Sequence, residues 1–342
     1  MTMENPAPPP STRMTDLIFG FWTAKSIRAA AMLGVADHIE AGPKTAEELA
    51  GLVGAHGPSL HRLLRALASI GIFEEDDRRR FAQTPLGSTL RSGVPGSLRD
   101  TAISMLDDVH GRSWDDLLHP LRTGEVACDH VFGMNIWDYY SRHPEEERAF
   151  NGSMTGLSQM VGGAVVEAYD FSPFGTIVDV AGGQGSLLSQ ILRATPKARG
   201  VLFDAPRVVE GAGPNLEAAG VADRVERVGG DFFESVPAGG DLYTLKWIIH
   251  DWDDARSVAI LKSCRRAMSP AAKLLLLEAV IPPGNAPMLG KFLDLNMMVI
   301  TGGKERTERE FAALLAEAGF RLTRVIPTKS PVSIVEAAPD GA

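Results

Sequence analysis

The sequence predicts an α/β protein: a mainly parallel, seven-stranded sheet in the C-terminal half, preceded by a mostly helical half that contains a winged helix. Three observations lead there. From Thr176 onward, short β-branched and aliphatic runs alternate with helical segments, the pattern of a parallel sheet covered on both faces. From Met14 to about Ser172, apolar residues recur at helical spacing. Between Thr45 and Ala82, a helix, a turn, a second helix and two short strands follow one another, which is the layout of a winged helix.

Met1 to Arg13 is rich in proline and polar residues and is expected as a disordered tail; it lacks the basic-then-apolar pattern of a secretory signal. Leu17, Phe21, Ile27, Ala30, Ala31 and Leu33 mark one apolar face of a helix. Thr45 is placed to cap the next helix, with Glu48 completing a capping box. Gly57-Pro58-Ser59 makes a turn, Leu60 to Ile70 a second amphipathic helix closed by Gly71, and Ile72–Glu75 and Arg80–Ala82 a strand pair. Such a module suggests DNA binding, and His61, Arg62, Arg65 and Arg78 to Arg80 would serve it. The wing is preceded by an acidic run, however, and the chain carries a net charge of −9, so dimerisation is the expected use. Thr101 to Met160 is again helical and carries Met105, Trp114, Phe132, Met134, Trp137, Phe150 and Met154, suited to a core and to the wall of a pocket for a planar apolar ligand. The expected domains are a tail at 1–13, a winged helix at 14–100, a helical linker that contributes to the pocket at 101–172, and a ligand-binding sheet domain at 173–342.

In the sheet domain the expected strands are Thr176–Val180, Gly200–Asp204, Val225–Gly229, Leu242–Lys246 and Lys273–Glu278. The helices between them are Ser186–Arg193, Val208–Ala219 and Ala255–Met268. Arg321–Ile326 and Val332–Ala337 flank a Pro-Thr-Lys-Ser-Pro turn and form an antiparallel pair at the edge. No apolar run approaches the roughly 20 residues needed to cross a bilayer. Cys128 and Cys264 are the only cysteines and lie far apart, which excludes a disulfide framework and zinc-ligand spacing and fits a reducing, cytoplasmic setting.

Ligands of such sheets bind beyond the carboxyl ends of the strands. The residues there form a consistent set: Asp179 and the turn Ala181-Gly182-Gly183-Gln184-Gly185; Asp204; Asp231-Phe232-Phe233; Lys246, His250 and Asp251; and Glu278. The glycines let backbone approach a ligand. Asp204, about twenty residues beyond the turn, stands where an acid binds a ribose. A dinucleotide fingerprint needs glycine at its first, third and sixth positions; counted from Gly183, the sixth is Leu188. Asp179 suits a positive amino group better than a phosphate, and Asp231-Phe232 offers an acceptor and an apolar face to adenine. The ligand is therefore expected to be S-adenosylmethionine rather than NAD. His250, alone, reads equally as part of a helix cap near Asp253 and Asp254 or as a general base.

At this point the chain resembles the S-adenosylmethionine-dependent O-methyltransferases of the caffeate and hydroxyindole type, which include many bacterial natural-product enzymes. The resemblance runs from about Leu17 to Ala337. It rests on Val178-Asp179-Val180-Ala181-Gly182-Gly183-Gln184-Gly185, Phe203-Asp204-Ala205-Pro206, Gly230-Asp231-Phe232-Phe233, Lys246-Trp247-Ile248-Ile249-His250-Asp251-Trp252, Glu278 and Gly302-Gly303-Lys304-Glu305-Arg306-Thr307. It implies a Rossmann-like catalytic domain and an intertwined homodimer built by the winged-helix domain, which helps close the partner's pocket. It also implies roles. Gly182, Gly183 and Gly185 hold the methionine part of the cofactor, Asp204 the ribose, and Asp231 and Phe232 the adenine. Lys246 supports the reacting end. His250 is the general base, flanked by Glu278 and Glu305. Met154, Asn296 and Met298 are pocket positions, with Trp114 from the helical region beside them, and no metal takes part; Asp251, on its own residues, reads as a substrate contact or as a cap of the next helix. Ala181 departs from a common glycine and Phe232 from the methionine of many plant members.

The expected reaction is methylation of a phenolic hydroxyl in secondary metabolism, yielding S-adenosyl-L-homocysteine. The alternatives are N-methylation or a non-methylating reaction on the same fold, against which His250, Glu278 and Glu305 argue, and a nucleoside-sensing DNA-binding regulator. The acceptor itself is not named by the sequence.

Overall fold

The structure is a computed structural model that describes residues 8–341. It divides into two compact units, residues 1–107 and 108–342. Residues 1–7 of the expected tail lie outside the described residues, and its last part is not a tail: a helix runs Pro10–Leu33, with Pro10 in the first turn, where its missing N–H costs nothing. The helix stops at Gly34, which adopts φ 65° and donates its N–H to the carbonyls of Ala30 and Ala31. The face expected to be apolar is split. Ala30 and Ala31 are buried, while Leu17 and Phe21 are exposed, together with Met14, Ile18 and Trp22.

The rest of the first unit follows the winged-helix expectation. Helix Ala46–Val53 has the capping box, Thr45 accepting from the Glu48 N–H and Glu48 accepting from that of Thr45. Helix Gly57–Ala68 buries Leu60, Leu64 and Leu67. The strands are β1 (Lys44–Thr45), β2 (Phe73–Glu75) and β3 (Arg80–Gln83), antiparallel in the order β1-β3-β2. β1, only two residues long, was not foreseen. His61, a candidate DNA contact, is buried against Phe81.

The second unit carries the seven-stranded sheet: β4 (Thr176–Val180), β5 (Arg199–Asp204), β6 (Val225–Gly229), β7 (Leu242–Lys246), β8 (Lys273–Glu278), β9 (Phe320–Pro327) and β10 (Ser333–Pro339), in the order β6-β5-β4-β7-β8-β10-β9. β6 to β8 are parallel neighbours across that order, and β10 runs antiparallel to both β8 and β9. Alternate residues face opposite layers. Val178, Val180, Leu274 and Leu276 pack with helices Asp254–Ala267 and Glu308–Glu317, whereas Ile177, Leu275 and Leu277 pack with Pro144–Ala168 and Ser186–Ala194. The helix expected at Val208–Ala219 is instead two short helices, Pro206–Glu210 and Gly213–Ala218, because Gly211 loosens the backbone and Pro214 lacks a donor. Strand order reverses between β4 and β7, and the crevice above that reversal positions the site.

Candidate active site

A cavity of about 630 Å³ opens beyond the ends of β4 to β7, with Gly182, Asp204, Asp231, Phe232, Lys246 and Asp251 on its walls. Its first side is mostly backbone. After β4, Ala181 turns the chain with φ 53° and Gly183 and Gly185 follow at φ 58° and 77°. Alanine tolerates this left-handed conformation at a cost of about 1–2 kcal/mol, so the departure at Ala181 leaves the turn intact. Gly182 is required for another reason: a Cβ there would lie 2.6 Å from Asp179 Oδ2. Asp179 backs the turn, 1 % exposed; Oδ1 accepts the Thr244 hydroxyl at 2.7 Å, while Oδ2 has no partner. Burial pushes its carboxyl up to about 6. That unpartnered oxygen lies beneath the glycine turn, behind the residues that line the cavity. Asp204, at the end of β5, accepts the Gly183 and Ala205 N–H groups, each at 2.7 Å, which fixes its plane at the cavity edge. Asp231 accepts the Phe233 N–H at 2.8 Å, and Phe232 stands edge-on to Phe233 and Trp252, a slot for a flat base.

On the other side Lys246 and Asp251 stand on the cavity wall, and the buried titratable groups His250, Glu278 and Glu305 lie behind it. Lys246 ends β7 with Nζ 4.3 Å from the Trp247 ring; burial pulls its ammonium down to about 8 against the opposing charges of Asp179, Glu278 and Asp251. Trp247 takes φ 53°, an uncommon conformation for a bulky side chain, and the next residues form a single 3₁₀ turn, Ile249–Asp251. Glu278 holds that turn, its Oε1 accepting the N–H groups of Ile248 and Ile249 at 3.1 and 2.9 Å. His250 is 6 % exposed. Its Nδ1 lies 2.6 Å from Glu305 Oε1 and 3.8 Å from Glu278 Oε2, and its Nε2 lies 3.5 Å from Asp251 Oδ1. Burial raises the carboxyls of Glu278 and Asp251 to about 7 each, and burial reinforced by Asp294 raises that of Glu305 to about 8.

His250 does not cap the following helix; Asp253 does, accepting the Arg256 N–H at 2.8 Å. Asp251 is likewise no cap, and with Met154 it stands on the cavity wall. The remaining expected pocket residues do not line this cavity. Trp114 donates its indole N–H to Asn296 Oδ1 at 2.8 Å, and Met298 packs against the cluster of Val109, Tyr140 and Ile300. Trp137 and Phe150, two of the large apolar residues suited to a pocket wall, line the cavity from the helical side, together with Tyr140, which no sequence signal singles out. Gly303 and Arg306, both in the motif of residues 302–307, pack on the His250 turn: a Cβ at Gly303 would overlap the His250 carbonyl oxygen, and Arg306 donates to the Ile249 carbonyl. Among the described residues, two groups have metal-ligand spacing. Asp116, His119 and His130 gather near the surface, where His130 pairs with Asp116 and His119 faces Glu125. In the group of His250, Glu278 and Glu305, one bond already joins His250 to Glu305 and the backbone occupies Glu278 Oε1.

Residues 114–321 match the family model of the O-methyltransferase domain, and residues 15–93 that of the O-methyltransferase dimerisation domain. The chain belongs to the O-methyltransferase family. It is 50% identical over 333 residues to a phenazine O-methyltransferase of Lysobacter antibioticus, covering 97% of each chain. The crystal structure of LaPhzM matches with a TM-score of 0.94 at 50% identity, covering 97% of this chain and 100% of that one. An O-methyltransferase from neocarzinostatin biosynthesis, solved with S-adenosylmethionine and 2-hydroxy-5-methyl naphthoic acid, matches with a TM-score of 0.77 at 35% identity, covering 93% and 96%. This O-methyltransferase uses S-adenosylmethionine, and no helix among its described residues is long and apolar enough to cross a membrane.

Proposed function

We propose that this enzyme methylates a phenolic hydroxyl of a planar aromatic small molecule, with His250 as general base. The observation that carries the reading is the 2.6 Å contact between His250 Nδ1 and Glu305 Oε1, with Nε2 turned toward Asp251 on the cavity wall. A phenol ionises only near about pH 10, so attack at neutral pH needs its proton removed. In the form with Glu305 ionised, which gains as pH rises through about 8, the Nδ1 proton is donated to it, Nε2 is left as the acceptor, and the carboxylate stabilises the imidazolium that forms. Glu305 therefore orients the base, while Glu278 acts on the backbone of its turn. As Nε2 takes the hydroxyl proton, the phenolic oxygen forms a bond to the methyl carbon and the carbon–sulfur bond breaks. The cofactor supplies that electrophilic methyl on a sulfonium and leaves as a neutral thioether, so no acid is needed.

In the same reading Gly182, Gly183 and Gly185 cradle the methionine part, and Asp179 Oδ2 receives its ammonium. Asp204 takes the ribose hydroxyls, Asp231 and Phe232 the adenine, and Lys246 the region of the reacting end. Met154 and Asp251 contact the acceptor; Trp114, Asn296 and Met298 support it from behind the wall. A wall carrying Trp137, Tyr140, Phe150 and Met154 favours a flat, fused acceptor, in keeping with the aromatic compounds named for the relatives. The exposed row of Met14, Leu17, Ile18, Phe21 and Trp22 supports a homodimer through the N-terminal unit, and the burial of His61 weighs against use of that helix on DNA. Cys128 and Cys264 are buried and form no disulfide, in accord with a cytoplasmic enzyme.

The test is a panel of monocyclic and fused aromatic phenols with labelled S-adenosylmethionine, each run with wild type and with His250→Ala. Label should reach an oxygen of a fused phenol in wild type alone. Transfer to no hydroxylated aromatic, despite cofactor binding, would overturn the reading.

A further inference from the structure

Among the described residues, Arg306 is the largest side chain that is fully buried, at 0 % exposure. A buried guanidinium is tolerated only when its donors are met, and here nearly all of them go to one place. Nη1 donates to the carbonyls of Ile249 at 2.9 Å and Lys304 at 3.2 Å. Nη2 donates to the carbonyl of Trp252 at 2.9 Å, to Asp254 Oδ1 at 2.8 Å and to Ser257 Oγ at 3.2 Å, and Nε donates to Asp254 Oδ1 at 3.1 Å. Ile249 and Trp252 are the residues that bracket His250-Asp251.

The backbone of Arg306 is itself tied down. It forms a parallel bridge with Val280, just beyond β8, and its carbonyl accepts the Ile281 N–H at 3.0 Å. One residue earlier, Glu305 holds His250 Nδ1 through its side chain, while its own N–H goes to Asp294 Oδ1 at 2.8 Å. The pair Glu305-Arg306 thus grips the histidine turn twice, by the imidazole and by the carbonyls on either side of it.

We infer that Arg306 is a positioning residue for the base, fixing the His250 turn through the Ile249 and Trp252 carbonyls and placing a permanent positive charge beside the Glu305–His250 pair. This rests on the reading of His250 as the base. The planar fork is the property that matters: a lysine keeps the charge but cannot reach two carbonyls and a carboxylate together. A displacement of about 1 Å at a reacting group is enough to lower turnover roughly a hundredfold. The charge has a separate consequence. The groups facing the pair are Glu278, Asp251 and Asp294, all acidic, with Lys246 beyond them. Arg306 therefore opposes a concentration of negative charge, and without it the pair is harder to ionise.

The experiment compares Arg306→Lys, Arg306→Met, Asp254→Asn and His250→Ala by kcat, KM for S-adenosylmethionine, cofactor affinity by calorimetry and the pH profile of kcat. Asp254→Asn loosens the guanidinium from a half-exposed partner and leaves the helix cap at Asp253 in place, so it reports even where an Arg306 variant fails to fold. Arg306→Lys should lose roughly tenfold to a hundredfold in kcat with cofactor affinity kept, and Asp254→Asn should lose less in the same direction. The acid limb of kcat should move to higher pH in Arg306→Met and stay in place in Arg306→Lys. Full activity in His250→Ala would overturn the base assignment and this inference with it. An inactive His250→Ala beside wild-type kcat in Arg306→Lys and Asp254→Asn would overturn this inference alone, as would a loss of kcat matched by equal loss of cofactor binding.

Discussion

The two sides of the cavity are built from different materials. Beyond β4 to β6 the proposed contacts for the cofactor come from backbone and from short-range geometry: a glycine turn, an aspartate fixed by the Gly183 and Ala205 amides, and another that accepts an N–H two residues on. Beyond β7 and β8 the proposed reacting side draws on buried acids and bases from distant parts of the chain, His250, Glu278, Asp294 and Glu305, set behind the wall that Lys246 and Asp251 form. The first side needs space close to the main chain. The second needs charges held apart from water, so that each group's proton affinity is set by its neighbours. Damage to the first should therefore appear in binding, and damage to the second in turnover and in its pH dependence.

The largest effect that separates the two sides is expected at His250. Alanine there should lower kcat by about 10²–10⁴-fold, the usual contribution of a general base, with cofactor affinity by calorimetry close to wild type; a parallel fall in affinity would erase the distinction. Next is Asp204→Asn, which should weaken cofactor binding by roughly tenfold to a hundredfold through loss of charge-assisted hydrogen bonds, while kcat at saturating cofactor stays near wild type. Loss of kcat at saturation would show that the cofactor side also governs the chemistry.

Gly303→Ala sharpens the comparison from inside the reacting side. The added Cβ would overlap the His250 carbonyl and approach the Asp251 carbonyl carbon to 2.5 Å. Overpacking of that kind costs about 1–3 kcal/mol, so thermal unfolding should fall by several degrees and kcat with it. An unchanged melting temperature would mean that the turn is freer than its packing indicates. A smaller effect concerns protons on the cofactor side. Asp179 is raised to about 6 by burial, and pairing with a ligand ammonium would lower it again. Cofactor binding near pH 6 should therefore release a fraction of a proton, read by calorimetry in buffers of different ionisation enthalpy; Asp179→Asn should abolish the release.

The smallest expected effect is a drift of stability with pH. Glu305 is raised from 4.5 to about 8 in the folded chain. Its protonated form is favoured by folding, so its contribution is complete below about 4.5 and is lost as pH rises through about 8. Glu336 has the opposite sign: the hydrogen bonds from Arg324, Thr323 and Tyr169 outweigh burial and hold it down at about 2, so its contribution is lost only as pH falls below 4.5 toward that value. Melting curves of wild type and Glu305→Gln across neutral pH should diverge in favour of the variant as pH rises. Parallel curves would show Glu305 to be ionised already in the free enzyme.

Much of this molecule is legible along the chain. The strands β4 to β8 fall where β-branched and aliphatic runs lie, the capping box at Thr45 and Glu48 forms as its spacing indicates, and the candidate site residues Asp204, Asp231 and Lys246 stand at or just past the strand ends that alternation locates. These features depend on neighbours within a few residues, so local sequence determines them. Errors arose where local signals compete. Val208–Ala219 is helical in pattern but is interrupted by Gly211 and Pro214, and the apolar face at Leu17 and Phe21 does not turn inward to this chain's own core.

What tertiary structure alone decided is which distant residues meet. Nothing in the spacing of residues 250, 278 and 305 says that Glu305 takes the imidazole Nδ1 while Glu278 takes the backbone of its turn. Nor does it say that Trp114 and Asn296 satisfy each other, or that Arg306 closes on the carbonyls around His250. Hydrophobic period and turn chemistry are written into adjacent residues. The pairing of buried charges depends on which chain ends the sheet order brings together and on the free energy of leaving any of them unpaired away from water.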